Sequence, residues 1–459
     1  MRMSNYPEET IVARVTPAGR GGVGVVRVSG PQTKAIAKKM LGHLPKPRYA
    51  TFATFKHQQS VIDEGIAIYF PKPHSFTGED ILELHGHGSP VVIDCLLKSI
   101  LKEGVRLARP GEFSERAFLN NKIDLAQAEA IADLINASSE QAARSAIRSL
   151  QGEFSKYIHE LMTAFIELRT YIEAAIDFSE EEIDYLTDES IKIKLKNLLQ
   201  QVQVIEKITN QGVLLRDGIN VVIAGEPNVG KSSLFNLLSG QEIAITTDIP
   251  GTTRDILRES INIDGMPIRI LDTAGLRATE DVIEQEGVRR TKTAAGQADL
   301  ILLMLDSSLA LKKEDCKRMI KQLIPNSEKK IPIFIIENKI DLTGEKPLTV
   351  TENTDYRMRI KISVKTGAGI NLLKYHLKEI VEFKTIDAND FIARRRHCDA
   401  IARTKFFLKK AEEQLLKQKA GELVAEDLRQ AQHALSEITG RFAADDLLGQ
   451  IFSEFCIGK

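Results

Sequence analysis

The chain has 459 residues, room for about three domains at ~150 residues each. Hydrophobic residues make up 43% and charged residues 27%, so every part can bury a core and wholesale disorder is excluded. Sixty-two basic residues against 63 acidic ones leave a net charge of -1, which excludes a uniformly basic nucleic-acid coat but not a local basic patch.

Residues 1 to about 120 read as α+β, with β-type runs at Thr10–Thr16, Gly24–Ser29 and Glu64–Phe70 and helical patterns at Pro31–Leu41 and Pro90–Lys102. From about Lys122 to Lys207 glycine and proline vanish except for Gly152. Apolar residues then recur at helical spacing (Leu125, Ala128, Ile131, Leu134, Ile135), the pattern of a helical bundle. Glu173 to Ser190 holds eight acidic and no basic residues, read as a solvated helix end or loop. Five apolar β-type runs follow at Val221–Ala224, Ile268–Leu271, Leu300–Leu305, Ile331–Ile336 and Arg359–Ile362, separated in part by helical stretches, an α/β sheet flanked by helices. Helical pattern returns from about Asp387. The expected organisation is a multidomain α/β chain. It comprises an N-terminal α+β domain (1–120), a helical domain in two parts (121–217 and 383–459) and an α/β module (218–382) inserted between those parts.

Gly225-Glu226-Pro227-Asn228-Val229-Gly230-Lys231-Ser232 fits G-x-x-x-x-G-K-S between an apolar strand and the helical run from Ser233. Its glycines let backbone N–H groups turn toward phosphates, and the helix N-terminus adds partial positive charge. Lys231 is placed to reach the β- and γ-phosphates, and the Ser232 hydroxyl to ligate Mg²⁺. Asp272-Thr273-Ala274-Gly275 ends a strand, where a carboxylate can hold Mg²⁺ through water and a glycine N–H can meet the γ-phosphate. Asn338-Lys339-Ile340-Asp341 also follows a strand. A carboxylate at Asp341 can take two bonds from guanine's N1–H and amino group, a donor pair that adenine lacks. Ser363-Val364-Lys365 can close over the base. The four motifs, in this order, point to GTP and resemble translation-factor-type GTPases, which implies that Thr253, in Gly251-Thr252-Thr253-Arg254-Asp255, is a Mg²⁺-ligating switch threonine.

Where Ras-like GTPases carry a water-positioning glutamine, this chain has Leu276, which cannot hydrogen-bond. Either Asn228 seats a monovalent cation beside the β–γ bridge, doing the work of an arginine finger, or it only stabilises its loop. Glu284 either orients water or is a surface helix residue.

The chain contains four cysteines, Cys95, Cys316, Cys398 and Cys456, with no C-x-x-C pair, so neither a disulfide framework nor a zinc finger is expected. No apolar run reaches the ~18 residues of a membrane span, and a cytoplasmic protein with no membrane partner is expected. Cys456-Ile457-Gly458-Lys459 fits a prenylation box poorly, which leaves a reactive thiol or an inert cysteine. Gly19-Arg20-Gly21-Gly22-Val23-Gly24 matches G-x-G-x-x-G but precedes a strand, so it reads as a tight turn. His85-Gly86-His87 lacks a third ligand at metal spacing and reads as structural. Phe391 to Lys419 carries nine basic and three acidic residues, either an ordinary helix face or a phosphate-attracting patch.

Thr16–Gly30 (TPAGRGGVGVVRVSG), Ser75–Gly88 (SFTGEDILELHGHG), Arg109–Lys122 (RPGEFSERAFLNNK), the inserted module and the terminal CIGK together closely resemble the MnmE (TrmE) family of tRNA-modification GTPases, over essentially the whole chain. The resemblance implies a homodimer that works with the flavoprotein MnmG, in a heterotetramer, on C5 of the tRNA wobble uridine. It implies a one-carbon unit from a tetrahydrofolate derivative (5-formyl or 5,10-methylene form), with Arg27, Glu83, Lys122 and Lys459 at the folate and Cys456 near the modification chemistry. It also implies K⁺-activated hydrolysis, with Asn228, Thr247, Ile249 (through its carbonyl) and Thr252 at the K⁺ and Glu284 orienting water. Nucleotide and metal contacts are expected at Asn228, Val229, Gly230, Lys231, Ser232, Ser233, Thr247, Asp248, Ile249, Pro250, Gly251, Thr252 and Thr253. Further contacts are expected at Asp272, Thr273, Ala274, Gly275, Asn338, Lys339, Asp341, Ser363 and Lys365.

Overall fold

The computed structural model describes residues 9–177, 189–240, 259–271, 295–296, 298–309, 313–323, 331–351, 358–380, 391–418, 421–440, 445–453, 455–456 and 458. The chain packs as two compact units. One is built from Met1–Ala132, Ser149–Val202 and Ala400–Lys459, the other from Asp133–Arg148 and Gln203–Asp399.

The first unit opens with a six-stranded sheet of β1 (Ile11–Arg14), β2 (Gly21–Ser29), β3 (Thr51–His57), β4 (Ser60–Phe70), β5 (Ile81–Gly88) and β6 (Arg106–Leu107), in the order β3-β4-β5-β2-β1-β6. Its pairings are antiparallel except β1 with β6. Antiparallel strands can leave one face wet, and the side chains alternate accordingly. In β3, Ala53 and Phe55 are buried while Phe52 is exposed. The buried face carries Val26, Val28, Phe55, Leu82 and Leu84 against Ile36 and Met40 of the helix Thr33–Leu41 and Ile93 and Leu96 of the helix Pro90–Leu101. The glycine-rich Gly19–Gly24 segment is a correction to its reading as a turn. Gly21 to Gly24 lie inside β2, and the pairing with β5 shifts register between Gly21 and Gly24, the signature of a bulge.

The same unit contains the helices Glu112–Leu119, Glu153–Asp177, Gly421–Thr439 and Asp445–Ser453. Glu153–Asp177 packs along Gly421–Thr439, and Arg169 donates to Gln432 between them at 2.6 Å. Phe452 and Phe455 bury against Leu125 and Ala128, with Phe452 6.4 Å from the Phe118 ring, centroid to centroid.

The second unit holds a seven-stranded sheet. Its strands are β7 (Ile219–Gly225), β8 (Glu259–Ile263), β9 (Met266–Leu271), β10 (Leu300–Asp306), β11 (Ile333–Asn338), β12 (Leu348–Thr351) and β13 (Met358–Lys361), in the order β12-β13-β11-β10-β7-β9-β8. The five central strands, which match the five apolar runs, are parallel; β8 and β12 pair antiparallel at the two edges. Parallel strands need cover on both faces, which is why they read as continuous apolar runs. Val221, Ile223, Met304 and Ile336 face one core with Leu234, Leu238 and Leu373, whereas Val222, Ala224, Leu303 and Ile335 face another with Cys316. Sites in such sheets gather at the carboxyl ends of the strands, here Gly225, Asp306 and Asn338.

Candidate functional site

The phosphate loop leaves β7 at Gly225 and enters the helix Lys231–Ser239 through Gly230. Gly230 sits at φ +100°, and a Cβ there would fall 2.4 Å from Asn338 Nδ2; a Cβ at Gly225 would fall 2.4 Å from the Met304 carbonyl. The loop therefore closes around bare backbone, and Asn228 joins the curl at φ +62°. Lys231 Nζ donates to the carbonyls of Gly225 and Glu226, each at 2.8 Å. Burial lowers its pKa from the ordinary lysine value, because the neutral amine is cheaper to desolvate. Ser232 and Ser233 occupy the first turn of the helix.

Asn338 ends β11 and braces two loops with one amide. Its Nδ2 donates to the Val229 carbonyl at 2.8 Å, and Val364 N donates to its Oδ1 at 3.0 Å. Ser363 Oγ donates to Asp341 Oδ1 at 2.6 Å and accepts from Thr366 N at 3.2 Å, which fixes the Asp341 carboxylate. Lys365 is exposed in the turn that follows Ser363. Lys339 takes a left-handed backbone, φ +69°, and its ammonium meets Asp306 Oδ2 at 2.7 Å. Asp306 was no sequence candidate. Its other oxygen accepts from Ser308 N at 2.9 Å and Ser308 Oγ at 2.6 Å. Burial alone raises its pKa, but the bonds from Lys339 and Ser308 outweigh it and hold the carboxyl below its ordinary value. The structure thus brings Asn228, Val229, Gly230, Lys231, Ser232, Asn338, Lys339, Asp341 and Ser363 to one edge of the sheet. A glycine cradle, a lysine within it, a helix N-terminus and a held carboxylate fit a nucleoside triphosphate with its magnesium.

Thr247, Asp248, Ile249, Pro250, Gly251, Thr252, Thr253, Asp272, Thr273, Ala274, Gly275, Glu284 and Lys459 lie outside the described residues.

A second cluster occupies the other face of the first unit's sheet, where Phe113 buries Ile11 and Ala13 and leaves Arg27 and Glu83 partly covered. Register pairs Arg27 of β2 with Glu83 of β5, and Arg27 Nε and Nη2 each lie 2.8 Å from Glu83 Oε1. The guanidinium sits 5.5 Å from the Phe76 ring centroid and 5.6 Å from that of Phe113, within cation–π range. His85 Nε2 is 3.0 Å from Glu83 Oε2. Burial works to raise the Glu83 pKa, and the bonds from His85 and Arg27 bring it below its ordinary value, so Glu83 stays an acceptor. Lys122 is tied to the Pro73 carbonyl at 2.9 Å, in the loop that also carries Phe76. Cys456 is exposed, and its carbonyl accepts from Gly111 N at 3.4 Å, at the start of the helix that bears Phe113. A Cβ at Gly458, φ +98°, would fall 2.1 Å from the Arg14 carbonyl. The tail is therefore seated on β1 and on the helix start beside the Arg27 cluster. The cluster thus offers an acceptor carboxylate at Glu83, a guanidinium at Arg27, the Lys122 ammonium and the partly exposed Phe76 ring to a ligand that carries both donors and negative charge.

The two histidines of His85-Gly86-His87 are bonded to carboxylates, His87 Nδ1 to Asp63 Oδ1 at 2.7 Å, and among the described residues no group of three metal-ligating side chains forms. The basic stretch is largely paired within each unit. Arg394 meets Asp133 at 2.9 Å in the second, while Arg403 meets Glu437 at 2.6 Å and Lys410 meets Asp427 at 2.9 Å in the first. Among the described residues, no helix is long and apolar enough to cross a membrane.

The family model described as the MnmE helical domain matches residues 125–456, and the one described as the GTP-binding protein TrmE N-terminus matches residues 10–122. The tRNA modification GTPase MnmE of Coxiella burnetii (strain RSA 493 / Nine Mile phase I) is 70% identical over 451 residues, covering 98% of this chain and 99% of that one. The protein of the same name from Proteus mirabilis (strain HI4320) is 55% identical over 458 residues, covering 99% and 100%. Among solved structures, the G domain of the T. maritima FeoB iron transporter shares 24% identity over 35% of this chain and 97% of that one, at a TM-score of 0.25; a likeness that slight carries no argument. Two family models that together span the chain and relatives matched end to end lead to one conclusion: the chain belongs to the MnmE (TrmE) family of tRNA modification GTPases.

Proposed function

We propose that the chain is a K⁺-activated GTP hydrolase that acts with an MnmG-type flavoprotein to modify C5 of the wobble uridine of tRNA, with a tetrahydrofolate derivative as one-carbon donor. The four segments 1–120, 121–217, 218–382 and 383–459 serve as folate-binding and dimerisation domain, helical domain, GTPase module and second helical part. One observation carries the reading: Asn338 ties the phosphate loop to the base-closing loop, so a triphosphate cradle and a guanine-type acceptor form one braced site.

In this reading Lys231 trades its two carbonyl partners for phosphate oxygens, and its partly desolvated ammonium interacts strongly with them. Ser232 would hold Mg²⁺ together with Thr253, and Asp272 would reach it through water. Bound Mg²⁺ neutralises charge on the phosphates. Asn228, Thr247, Ile249 and Thr252 would hold K⁺, and Glu284 would orient water. Asp341, held by Ser363, accepts from the base. Arg27 and Lys122 would meet folate carboxylates, Glu83 its amino donors, and Lys459 and Cys456 would approach from the seated tail.

Two measurements test this. GTP turnover is expected to be much faster in K⁺ than in Na⁺ at equal ionic strength; equal turnover removes the cation mechanism. Transfer RNA from cells lacking the protein is expected to lose its C5-substituted wobble uridines on nucleoside analysis, and unchanged nucleosides overturn the pathway assignment.

A further inference from the structure

The roles proposed above leave Asp306 without a task, although it stands at the centre of the binding edge. β10 lies between β7 and β11, and register places Asp306 opposite Asn338 and Met304 opposite Gly225. The carboxylate is therefore set between the phosphate loop and the base loop. It is held from behind, because Ser308 gives Oδ1 both its N–H and its hydroxyl, and Ser307 N donates to the Asn338 carbonyl at 2.8 Å. Its free oxygen, Oδ2, grips the Lys339 ammonium. The Asp306 side chain is 12% exposed and that of Lys339 32%, so this is not a loose surface pair.

A lysine has a long flexible stem whose methylenes pack on apolar surface while the ammonium seeks a polar partner. Pinning the ammonium fixes the stem. Lys339 lies two residues before Asp341, and its left-handed backbone directs the chain at this bend. We infer that Asp306 is a positioning residue for nucleotide binding: by holding the Lys339 ammonium it sets the lysine stem as an apolar wall beside the base. The inference rests on the guanine-nucleotide reading of this site. Asp341 selects the base through its donors, whereas Asp306 acts on affinity whatever the base carries.

The experiment measures GDP and IDP affinity and saturated GTP turnover for the full chain and for Asp306→Ala, Lys339→Ala and their combination. Asp306→Ala is expected to weaken GDP and IDP by the same factor, about tenfold, since an untethered lysine must be ordered on binding. Its turnover at saturation is expected to stay close to that of the parent. In the Lys339→Ala background the same change is expected to add nothing, the sign that both act through one contact. Asp306→Asn is expected to restore part of the loss. Wild-type affinity in Asp306→Ala, or a full additional loss in the Lys339→Ala background, overturns the inference. Should Asp306→Ala fail to fold, Ser308→Ala decides: a several-fold weakening (roughly, for one hydrogen bond to a carboxylate that keeps its other donors) supports the role, and unchanged GDP affinity overturns it. A parent chain that prefers adenine nucleotides sinks the underlying site reading; a parent that binds GDP beside an unaffected Asp306→Ala sinks this inference alone.

Discussion

Gly230 is held to glycine twice over, by its backbone and by its neighbour. Its φ of +100° is costly for any L side chain, and an added methyl would meet the amide of Asn338 at 2.4 Å. Gly230→Ala is expected to weaken GTP and GDP roughly tenfold or more while leaving the fold intact, since the strain falls on the brace between two loops. Titration with a fluorescent guanine nucleotide checks this, and unchanged affinity would show that the loop relaxes freely. This part of the site was legible in sequence because phosphate binding demands fixed residue types at fixed spacing. Asp306 was not legible: its partner lies 33 positions on, and only the register of β10 with β11 brings the pair together. Arg27 and Glu83 are similar. Resemblance named them, but no spacing rule joins residues 56 positions apart on strands whose pairing is unknown.

At the scale of elements, burial on both faces decided what could be read. The three innermost parallel strands, β7, β10 and β11, are apolar nearly throughout, whereas β8 (ESINI) and β12 (LTVT) are edge strands whose short polar alternation resembles loop. β5 was hidden in the same way, since Glu83, His85 and His87 fall on its open face while Leu82 and Leu84 go inward. The helix Asp445–Ser453 offers the clearest test of packing. Phe452 is 2% exposed, between Phe118 and Phe455. Phe452→Ala should cost about 3–5 kcal/mol in the first unit through the cavity it leaves. Thermal unfolding followed by circular dichroism is expected to show a lowered transition; an unshifted one would mean that the site collapses around the gap.

The first unit as a whole carries a built-in sensitivity to acid. Glu112, 1% exposed, accepts from Arg106 at 2.7 and 2.9 Å, from Arg109 N at 2.8 Å and from Arg116 at 3.0 Å. Burial opposes its charge, yet these donors push its pKa down to about 2 from the ordinary 4.5. A carboxyl with a lowered folded-state pKa stabilises fully above its unfolded value and loses that contribution as pH falls toward the folded one. Stability is therefore expected to drop as pH falls from about 4.5 to about 2. Glu112→Gln is expected to melt earlier at pH 7, because Arg106 and Arg116 lose the carboxylate they share and keep only those of Glu9 and Glu79, and to show a shallower acid slope. Calorimetry across that range reads both, and identical slopes would assign the acid response to other groups. The two-unit division has a further consequence for how the protein is made. The first unit draws on the first and the last parts of the chain, and Glu153–Asp177 packs on Gly421–Thr439. On the ribosome, which delivers the chain from its N-terminus, the early helix emerges long before its mate. Among the described residues the second unit's last strand ends at Lys361 and the unit itself at Asp399, ahead of the stretch Ala400–Lys459 that the first unit awaits, so the nascent protein can finish its middle before its beginning.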